Sequence, residues 1–259
     1  MSIELRDVHK AFGPKRVLRG LSLDVEEGET VSLVGFSGAG KSVALKHING
    51  LLRPDRGTVF VDGQEVPRLP REELYRLRLN IGYVFQFAAL FDSMTVAENI
   101  MMGLVKKGGL SEGEMRERIA QSLALVDLSG YEDRFPAELS GGQRKRAGLA
   151  RAIAYRPKYL LYDEPTSGLD PVTTTVIDRL IMRMKEELGV TSLVITHDMK
   201  SAYSISDRIA MLYEGRVVEV GTPDEIRSSE NETVRSFVEG RPDLAHDAEQ
   251  PLEQPRRDA

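Results

Sequence analysis

Three short segments of this chain carry residue types that could act together on a nucleotide. Residues 35–42 read Gly-Phe-Ser-Gly-Ala-Gly-Lys-Ser, and Asp163 and Glu164 follow the apolar run at 159–162. Glycine-rich loops let backbone N–H groups converge on phosphate oxygens, and carboxylates at a strand end can hold Mg2+ or orient a water molecule. The third segment, Leu-Ser-Gly-Gly-Gln at 139–143, has the composition of a second anion-binding helix start. Together they indicate nucleotide chemistry.

The segment at 35–42 fits the phosphate-loop pattern G-x-x-x-x-G-K-[ST]. Lys41 is expected to reach the outer phosphates, and the Ser42 hydroxyl is expected to ligate Mg2+. A chance glycine-rich turn is the alternative, but a predicted strand before the loop and a predicted helix after it argue against that interpretation. The candidate phosphate-binding residues are Gly35, Ser37, Gly38, Ala39, Gly40, Lys41, Ser42 and Val43.

Further candidates follow predicted strands. Asp163 suits Mg2+, directly or through water, and Glu164 is placed to polarise an attacking water. His197 is a candidate to hydrogen-bond the γ-phosphate or the water, although a lone histidine at a strand end is more often structural. Gln86 could sense both Mg2+ and the attacking water. Phe12 could stack on adenine, or it could simply pack against its neighbours.

The segment at 139–143 predicts the start of a helix. Ser140 is the expected cap, while Gly141 and Gly142 leave backbone N–H groups open to an anion next to Gln143. An ordinary cap is the alternative. A chain with one nucleotide loop and two anion-binding helix ends requires either two ligands or two copies of itself.

Apolar patterning predicts an α/β fold in which these motifs lie on loops between strands and helices. We predict one domain over residues 1–240, a helical subdomain inserted at about 87–156, and a disordered tail at 241–259 that holds three prolines and many charges. The predicted strands are 3–8, 17–25, 30–34, 58–61, 81–84, 159–162, 191–195, 208–213 and 217–220. The predicted helices are 42–52, 95–104, 112–126, 140–155 and 172–188, with short helices after residue 220.

Composition narrows the possible environments and partners. The 259 residues have 41% hydrophobic content, a net charge of −5 and no cysteine, which supports a globular core and excludes disulfides and thiolate metal sites. A net negative charge gives no general electrostatic reason to expect nucleic acid binding. We interpret the basic run Arg144–Arg146 as one face of a helix. A secretory signal and a membrane-length apolar segment are both lacking in this sequence, so we expect a cytoplasmic location and a membrane role only through a partner.

Together and in their order along the chain, six motifs resemble those of the ATP-binding-cassette (ABC) ATPases, and the resemblance covers about residues 3–240. The motifs are the phosphate loop at 35–42, Gln86, the segment 139–143, Asp163-Glu164, the loop 167–170 and His197. The resemblance implies a P-loop NTPase core with a mixed or parallel sheet, amino-terminal antiparallel strands and an inserted helical subdomain. It also implies ATP and Mg2+ as cofactors and a head-to-tail homodimer. In that dimer each ATP lies between the phosphate loop of one subunit and Ser140–Gly142 of the other, with the loop 167–170, including Asp170, crossing the interface.

A narrower resemblance is to the Mla/Mce-type ATPases of bacterial phospholipid transport. It depends on Gly-Lys-Ser-Val-Ala-Leu-Lys-His at 40–47, on the segment 85–99 and on Phe-Val-Glu-Gly at 237–240. Valine occupies position 43, where the wider family commonly has threonine, and valine at this position is known in the Mla/Mce-type group. The resemblance implies an integral membrane permease, Mla/Mce-type lipid-binding and accessory subunits, and a peripheral position on the cytoplasmic face of the inner membrane. Transport of another solute such as an amino acid, a soluble ABC ATPase acting on DNA or the ribosome, and a non-hydrolysing binding module remain alternatives.

Overall fold

Two sheets and the helices around them position the candidate residues. The structure, a computed structural model, describes residues 2–241; of the tail predicted at 241–259, residues 242–259 lie outside the described residues. The strands are β1 (Ile3–Phe12), β2 (Lys15–Val25), β3 (Thr30–Val34), β4 (Arg56–Val61), β5 (Gln64–Glu65), β6 (Ile81–Val84), β7 (Tyr159–Asp163), β8 (Thr191–Thr196), β9 (Arg208–Tyr213) and β10 (Arg216–Gly221). The helices are α1 (Lys41–Ile48), α2 (Arg71–Arg78), α3 (Val96–Lys107), α4 (Glu112–Leu125), α5 (Gly141–Ile153), α6 (Pro171–Leu188), α7 (Met199–Ile205), α8 (Pro223–Arg227) and α9 (Glu232–Val238).

The smaller sheet is antiparallel with strand order β2-β1-β4-β5. The larger sheet has the order β10-β9-β3-β8-β7-β6, in which β10 is antiparallel to β9 and the remaining neighbours are parallel. The predicted α/β class, with amino-terminal antiparallel strands and a parallel core, is confirmed. Because the carboxyl ends of parallel strands share one edge, the loops after β3, β6, β7 and β8 open on the same side of the molecule.

Strand alternation divides the core into layers on the two faces of the larger sheet. Tyr159 and Leu161 of β7 pack into the cluster that also contains α1 and the antiparallel sheet. Leu160 and Tyr162 point the other way, into the cluster formed with α3, α4, α5 and α6. The phosphate-loop helix is therefore held between two sheets, and the helical block packs on the opposite face.

Several element boundaries differ from those predicted. β1 and β2 extend to a tight hairpin in which Phe12 pairs with Lys15, so both strands are longer than expected. α1 ends at Ile48 instead of residue 52, because Gly50 takes a left-handed conformation (φ 67°) that ends the helix. Neither α2 nor α7 was predicted; α2 buries only Leu77, so its sequence carries little apolar periodicity.

The segment predicted as a helical subdomain, 87–156, contains α3, α4 and α5. Its exact limits remain a prediction. In the part of the chain that the structure describes, no helix combines the length and apolarity that a membrane span requires.

Candidate active site

The loop after β3 leaves the sheet through a position that only glycine can occupy. Gly35 has a φ of 155°, and a Cβ there would lie 2.3 Å from the carbonyl oxygen of Leu212 on β9. Gly40 then begins α1 with a φ of 106° and supplies no capping side chain. The first N–H groups of a helix have no acceptor within it, so those of Lys41, Ser42 and Val43 remain available to an anion.

The Lys41 side chain folds back along this loop. Its Nζ donates hydrogen bonds to the carbonyl oxygens of Gly35 (2.7 Å) and Phe36 (3.2 Å). It also lies 3.7 Å from Oε1 of Glu164. Burial lowers the pKa of Lys41, while the nearby Glu164 carboxylate opposes that change. Loop carbonyls and a carboxylate thus hold this ammonium group where a phosphate would compete for it.

Asp163 is held between two hydroxyl donors at the end of β7. Ser42 Oγ donates to Oδ1 (3.0 Å), and the Tyr83 hydroxyl donates to Oδ2 (2.9 Å). Burial, reinforced by Asp163, raises the pKa of Tyr83, so the phenol stays protonated. Mg2+ usually takes one or two protein oxygens together with waters and substrate phosphates, and residues 2–241 contain no group of three acidic, histidine or cysteine side chains gathered for a metal. The Ser42 and Asp163 oxygens fit an Mg2+ that arrives with a nucleotide.

Glu164 and His197 lie at the carboxyl ends of the neighbouring parallel strands β7 and β8 and contact each other. His197 Nδ1 lies 2.8 Å from Oε2 of Glu164, and the histidine side chain is 60% exposed whereas that of Glu164 is 12% exposed. Glu164 has a φ of 48°, a left-handed conformation that turns the chain sharply after β7. A nearly buried carboxylate and an accessible imidazole therefore form a pair at the mouth of the site.

These groups line a cavity of about 840 Å3. Its walls include Phe12, a residue that is 47% exposed and whose ring centroid lies 5.7 Å from Lys10 Nζ. Predicted residues on the wall are Phe12, Ser37, Gly38, Gly40, Lys41, Ser42, Val43, Gln86, Glu164 and His197. Gly35, Ala39 and Asp163 do not line it; Asp163 lies one hydrogen bond behind Ser42. The sequence interpretation missed four lining residues: Lys15, Val17, Phe36 and Phe237.

The segment at 140–143 lies outside this cavity. Ser140 Oγ accepts from Gln143 N (3.2 Å), and Gln143 Oε1 accepts from Ser140 N (2.8 Å), which together cap α5. Glycine at position 142 leaves room for α6, because a Cβ there would lie 2.5 Å from Thr173 Cγ2. Asp170 caps α6 by accepting from the backbone N–H groups of Val172 and Thr173, and it too lies outside the cavity. Within one chain, these residues do not line the cavity that contains the phosphate loop.

The prediction that Arg144–Arg146 form one face of a helix is wrong. Consecutive helical residues point about 100° apart, and Lys145 is buried on the inner face of α5. Its Nζ donates to the carbonyl oxygens of Gln86 and Glu164, the latter at 3.4 Å. Burial lowers the pKa of Lys145, opposed by the charge of Glu164. Lys145 lies four residues before the buried Leu149 and therefore on the same face of α5, and this spacing could have predicted its burial.

The loop after β6 makes further hydrogen bonds with α5 and with the loop before α6. Arg151 donates to the carbonyl oxygen of Ala88 at 2.8 Å and also to that of Ala89. Gln86 Nε2 donates to Ser167 Oγ at 3.3 Å, in the loop that leads to Asp170. The Gln86 loop is therefore tied both to the helix that begins at Gly141 and to the loop before α6.

Comparison with known proteins identifies the class that this fold and site define. Residues 18–167 match the family model described as ABC transporter. The chain belongs to the ABC transporter family, and it is an ATPase that uses ATP and Mg2+. A dimeric ATP-binding cassette, solved in a post-hydrolysis state with ADP and Pi, superposes with a TM-score of 0.78 at 35% identity, covering 85% of this chain and 98% of that one.

Three curated relatives carry different names. The probable ribonucleotide transport ATP-binding protein mkl of Mycobacterium leprae is 41% identical over 93% of this chain and 70% of its own length. The chloroplastic protein trigalactosyldiacylglycerol 3 of Arabidopsis thaliana is 43% identical over 92% of this chain and 73% of its own. The methionine import ATP-binding protein MetN of Carboxydothermus hydrogenoformans is 45% identical over 86% of this chain and 67% of its own.

Proposed function

We propose that this chain is the motor subunit of a bacterial lipid transporter, and that it hydrolyses ATP as a head-to-tail homodimer bound to a separate membrane permease. One observation supports the dimer. The cavity that contains the phosphate loop, Glu164 and His197 excludes the second anion-binding helix start at 140–142. A second copy of the chain would supply that helix start to each cavity, as the dimeric assembly of the similar cassette suggests.

The contacts of the phosphate loop support a division of roles in nucleotide binding. Lys41 and the free N–H groups of α1 bind the phosphates, and Phe12 stacks on the adenine. Ser42 and Asp163 would hold the metal, and Gln86 lies with Ser42 on the cavity wall. When bound, Mg2+ neutralises charge on the phosphate oxygens.

Glu164 is the general base in this proposal. His197 holds Oε2, while Oε1, which lies 3.7 Å from Lys41 Nζ, orients the attacking water and accepts its proton once Lys41 turns to the phosphates. Lys145 donates hydrogen bonds to the carbonyl oxygens of Gln86 and Glu164, so the backbones of these two residues keep their relative position. His197, the more exposed partner, is accessible to the γ-phosphate as well as to the carboxylate.

Mixed dimers test the head-to-tail arrangement. Ser140→Arg blocks one helix start and Lys41→Ala disables one loop. If each site combines the loop of one subunit with Ser140 of the other, placing the two changes on different subunits damages a single site and leaves the other active. Placing both changes on the same subunit then silences both sites. The opposite result, with activity surviving only when both changes share a subunit, would overturn the dimer model. Ser111→Arg is the matched control, because Ser111 caps α4 with the same type of capping box.

An exposed apolar surface near the Gln86 loop supports contact with a permease. Phe87, Phe91 and Val105 are 85%, 51% and 60% exposed. They lie in the segment around 87–105, which in an ABC transporter ATPase subunit is expected to receive the coupling helices of a separate permease. Met94 and Met101 help to line an adjacent groove of about 550 Å3. Such apolar exposure is typical of protein interaction sites.

Co-purification of an integral membrane protein tests this surface. We expect Phe87→Ser to reduce recovery of the membrane protein while the ATPase activity of the isolated chain persists. Leu51→Ser is the control, since Leu51 is 59% exposed outside this segment. Recovery with ribosomes or DNA in place of a membrane protein would instead support the soluble alternative.

The lipid substrate is supported by Val43, by the segments 85–99 and 237–240, and by the relative that is named for a glycolipid. The runner-up is import of an amino acid, which the similarity to a methionine import protein favours. Proteoliposomes containing the chain and its permease distinguish these substrates. ATP-dependent movement of labelled phospholipid supports the proposal. Methionine or ribonucleotide uptake without lipid movement would refute it.

A further inference from the structure

Tyr83 joins the end of the Gln86 strand to the carboxylate at the end of β7. Its hydroxyl donates to Asp163 Oδ2 at 2.9 Å, while Oδ1 of the same carboxylate accepts from Ser42 Oγ at 3.0 Å. The two donors approach from different elements, β6 and α1. Both oxygens of Asp163 therefore have defined partners, and the carboxylate plane is fixed.

The tyrosine ring itself is held in place. Tyr83 pairs with Leu161 on the adjacent parallel strand, two residues before Asp163. Its ring also lies 4.4 Å from that of Phe85, measured between centroids. A phenol anchored in this way can present its hydroxyl at a constant position, and its packing does not depend on the hydroxyl.

We propose that Tyr83 is a positioning residue that turns Oδ1 of Asp163 towards Ser42 and thereby strengthens binding of the metal that accompanies the nucleotide. The inference depends on the proposed role of Asp163 as the metal carboxylate. Groups that hydrogen-bond metal-binding carboxylates orient them, and their loss typically weakens metal affinity about 10–100-fold. Without the phenol, Oδ2 loses its donor and the carboxylate can rotate away from Ser42.

Binding of Mn2+, followed by electron paramagnetic resonance, tests this inference on the full chain saturated with a non-hydrolysable ATP analogue. We expect Tyr83→Phe to weaken Mn2+ binding about tenfold. Analogue affinity in the presence of EDTA and the thermal unfolding midpoint should stay at the native values. Tyr75→Phe is the matched control, because it removes a tyrosine hydroxyl that donates to the Lys106 carbonyl oxygen on another part of the surface.

A Tyr83→Phe protein that binds Mn2+ within twofold of the native affinity would overturn the inference. Asp163→Asn separates this failure from failure of the proposed function. If Asp163→Asn weakens Mn2+ binding and Tyr83→Phe does not, only the role of Tyr83 is wrong. If neither change weakens it, the proposed metal role of Asp163 is wrong as well. Tyr83→Met provides the same test should the phenylalanine variant fold poorly.

Discussion

Asp178 is a buried carboxylate that joins the helix after Asp170 to the helix after His197. Its Oδ2 accepts from Ser201 Oγ of α7 at 3.0 Å, while its buried Oδ1 has no hydrogen-bond partner. Ser201 Oγ also lies 3.4 Å from Oδ2 of Asp198, which caps α7. Burial, with a smaller contribution from the charge of Asp198, raises the pKa of Asp178 from 3.8 to about 6, against the opposing effects of the Ser201 and Ser204 hydroxyls.

This shift predicts that the carboxylate destabilises the protein at neutral pH. The folded state binds the proton more strongly than the unfolded state, so the free energy of unfolding falls as pH rises from about 4 to about 6, and the penalty is complete above that range. At about 1.4 kcal/mol per pKa unit, the shift corresponds to about 3 kcal/mol. Solvent screening of a carboxylate that is not fully enclosed reduces this to about 1–2 kcal/mol. We therefore expect Asp178→Asn to stabilise the protein progressively across this window.

Urea unfolding at about pH 4.5 and about pH 8 measures the effect. We expect the stability difference between Asp178→Asn and the native protein to grow by about 1–2 kcal/mol between these pH values, and any pH-independent cost of the buried amide cancels in this comparison. Asp133→Asn makes the same chemical change at an exposed position and serves as the control. A stability difference that is constant between the two pH values, or that shrinks as pH rises, would refute the reasoning.

Three substitutions test the proposed chemistry. Glu164→Gln should keep ATP binding, lower turnover at least about 100-fold and allow ATP-bound dimers to accumulate, as size-exclusion chromatography would show; normal turnover would remove Glu164 from the base role. Lys41→Ala should weaken nucleotide binding about 10–100-fold in a fluorescence titration, because it removes a charge-assisted contact. Lys145→Met should lower kcat about tenfold with little change in KM, because the carbonyl oxygens of Gln86 and Glu164 lose their donor. Unchanged values would refute the last two assignments.

Local rules explain why much of the site could be predicted from the sequence. The phosphate loop needs glycine where the chain passes Leu212, and parallel strands bring their carboxyl ends to one edge. Those two constraints predict that the loop, Glu164 and His197 lie near each other, and the 2.8 Å contact between the last two agrees. The proposed roles of these residues remain predictions.

The missed residues depend on partners far away in the chain. Tyr83 contacts a carboxylate 80 residues later, and the Lys145 ammonium reaches a carbonyl oxygen 59 residues earlier. Phe237, near the end of the described chain, packs its ring 5.0 Å from that of Phe36 in the phosphate loop. Neither a motif nor a helical period encodes such pairs, because only the packed fold brings them together.

α5 connects the surface that a second chain would contact to the groups proposed for hydrolysis. The helix begins beside Ser140, which lies outside the cavity, and one turn later Lys145 binds the backbone of Gln86 and Glu164. An α-helix is rigid over so short a distance, rising about 1.5 Å per residue. In the proposed dimer, a shift of α5 when Ser140 meets the partner's nucleotide would therefore also move the contact with the carbonyl oxygen of Glu164, the proposed base. Loss of Lys145 should accordingly reduce the dependence of turnover on Ser140, which would be visible as a smaller effect of Ser140→Arg in the Lys145→Met background.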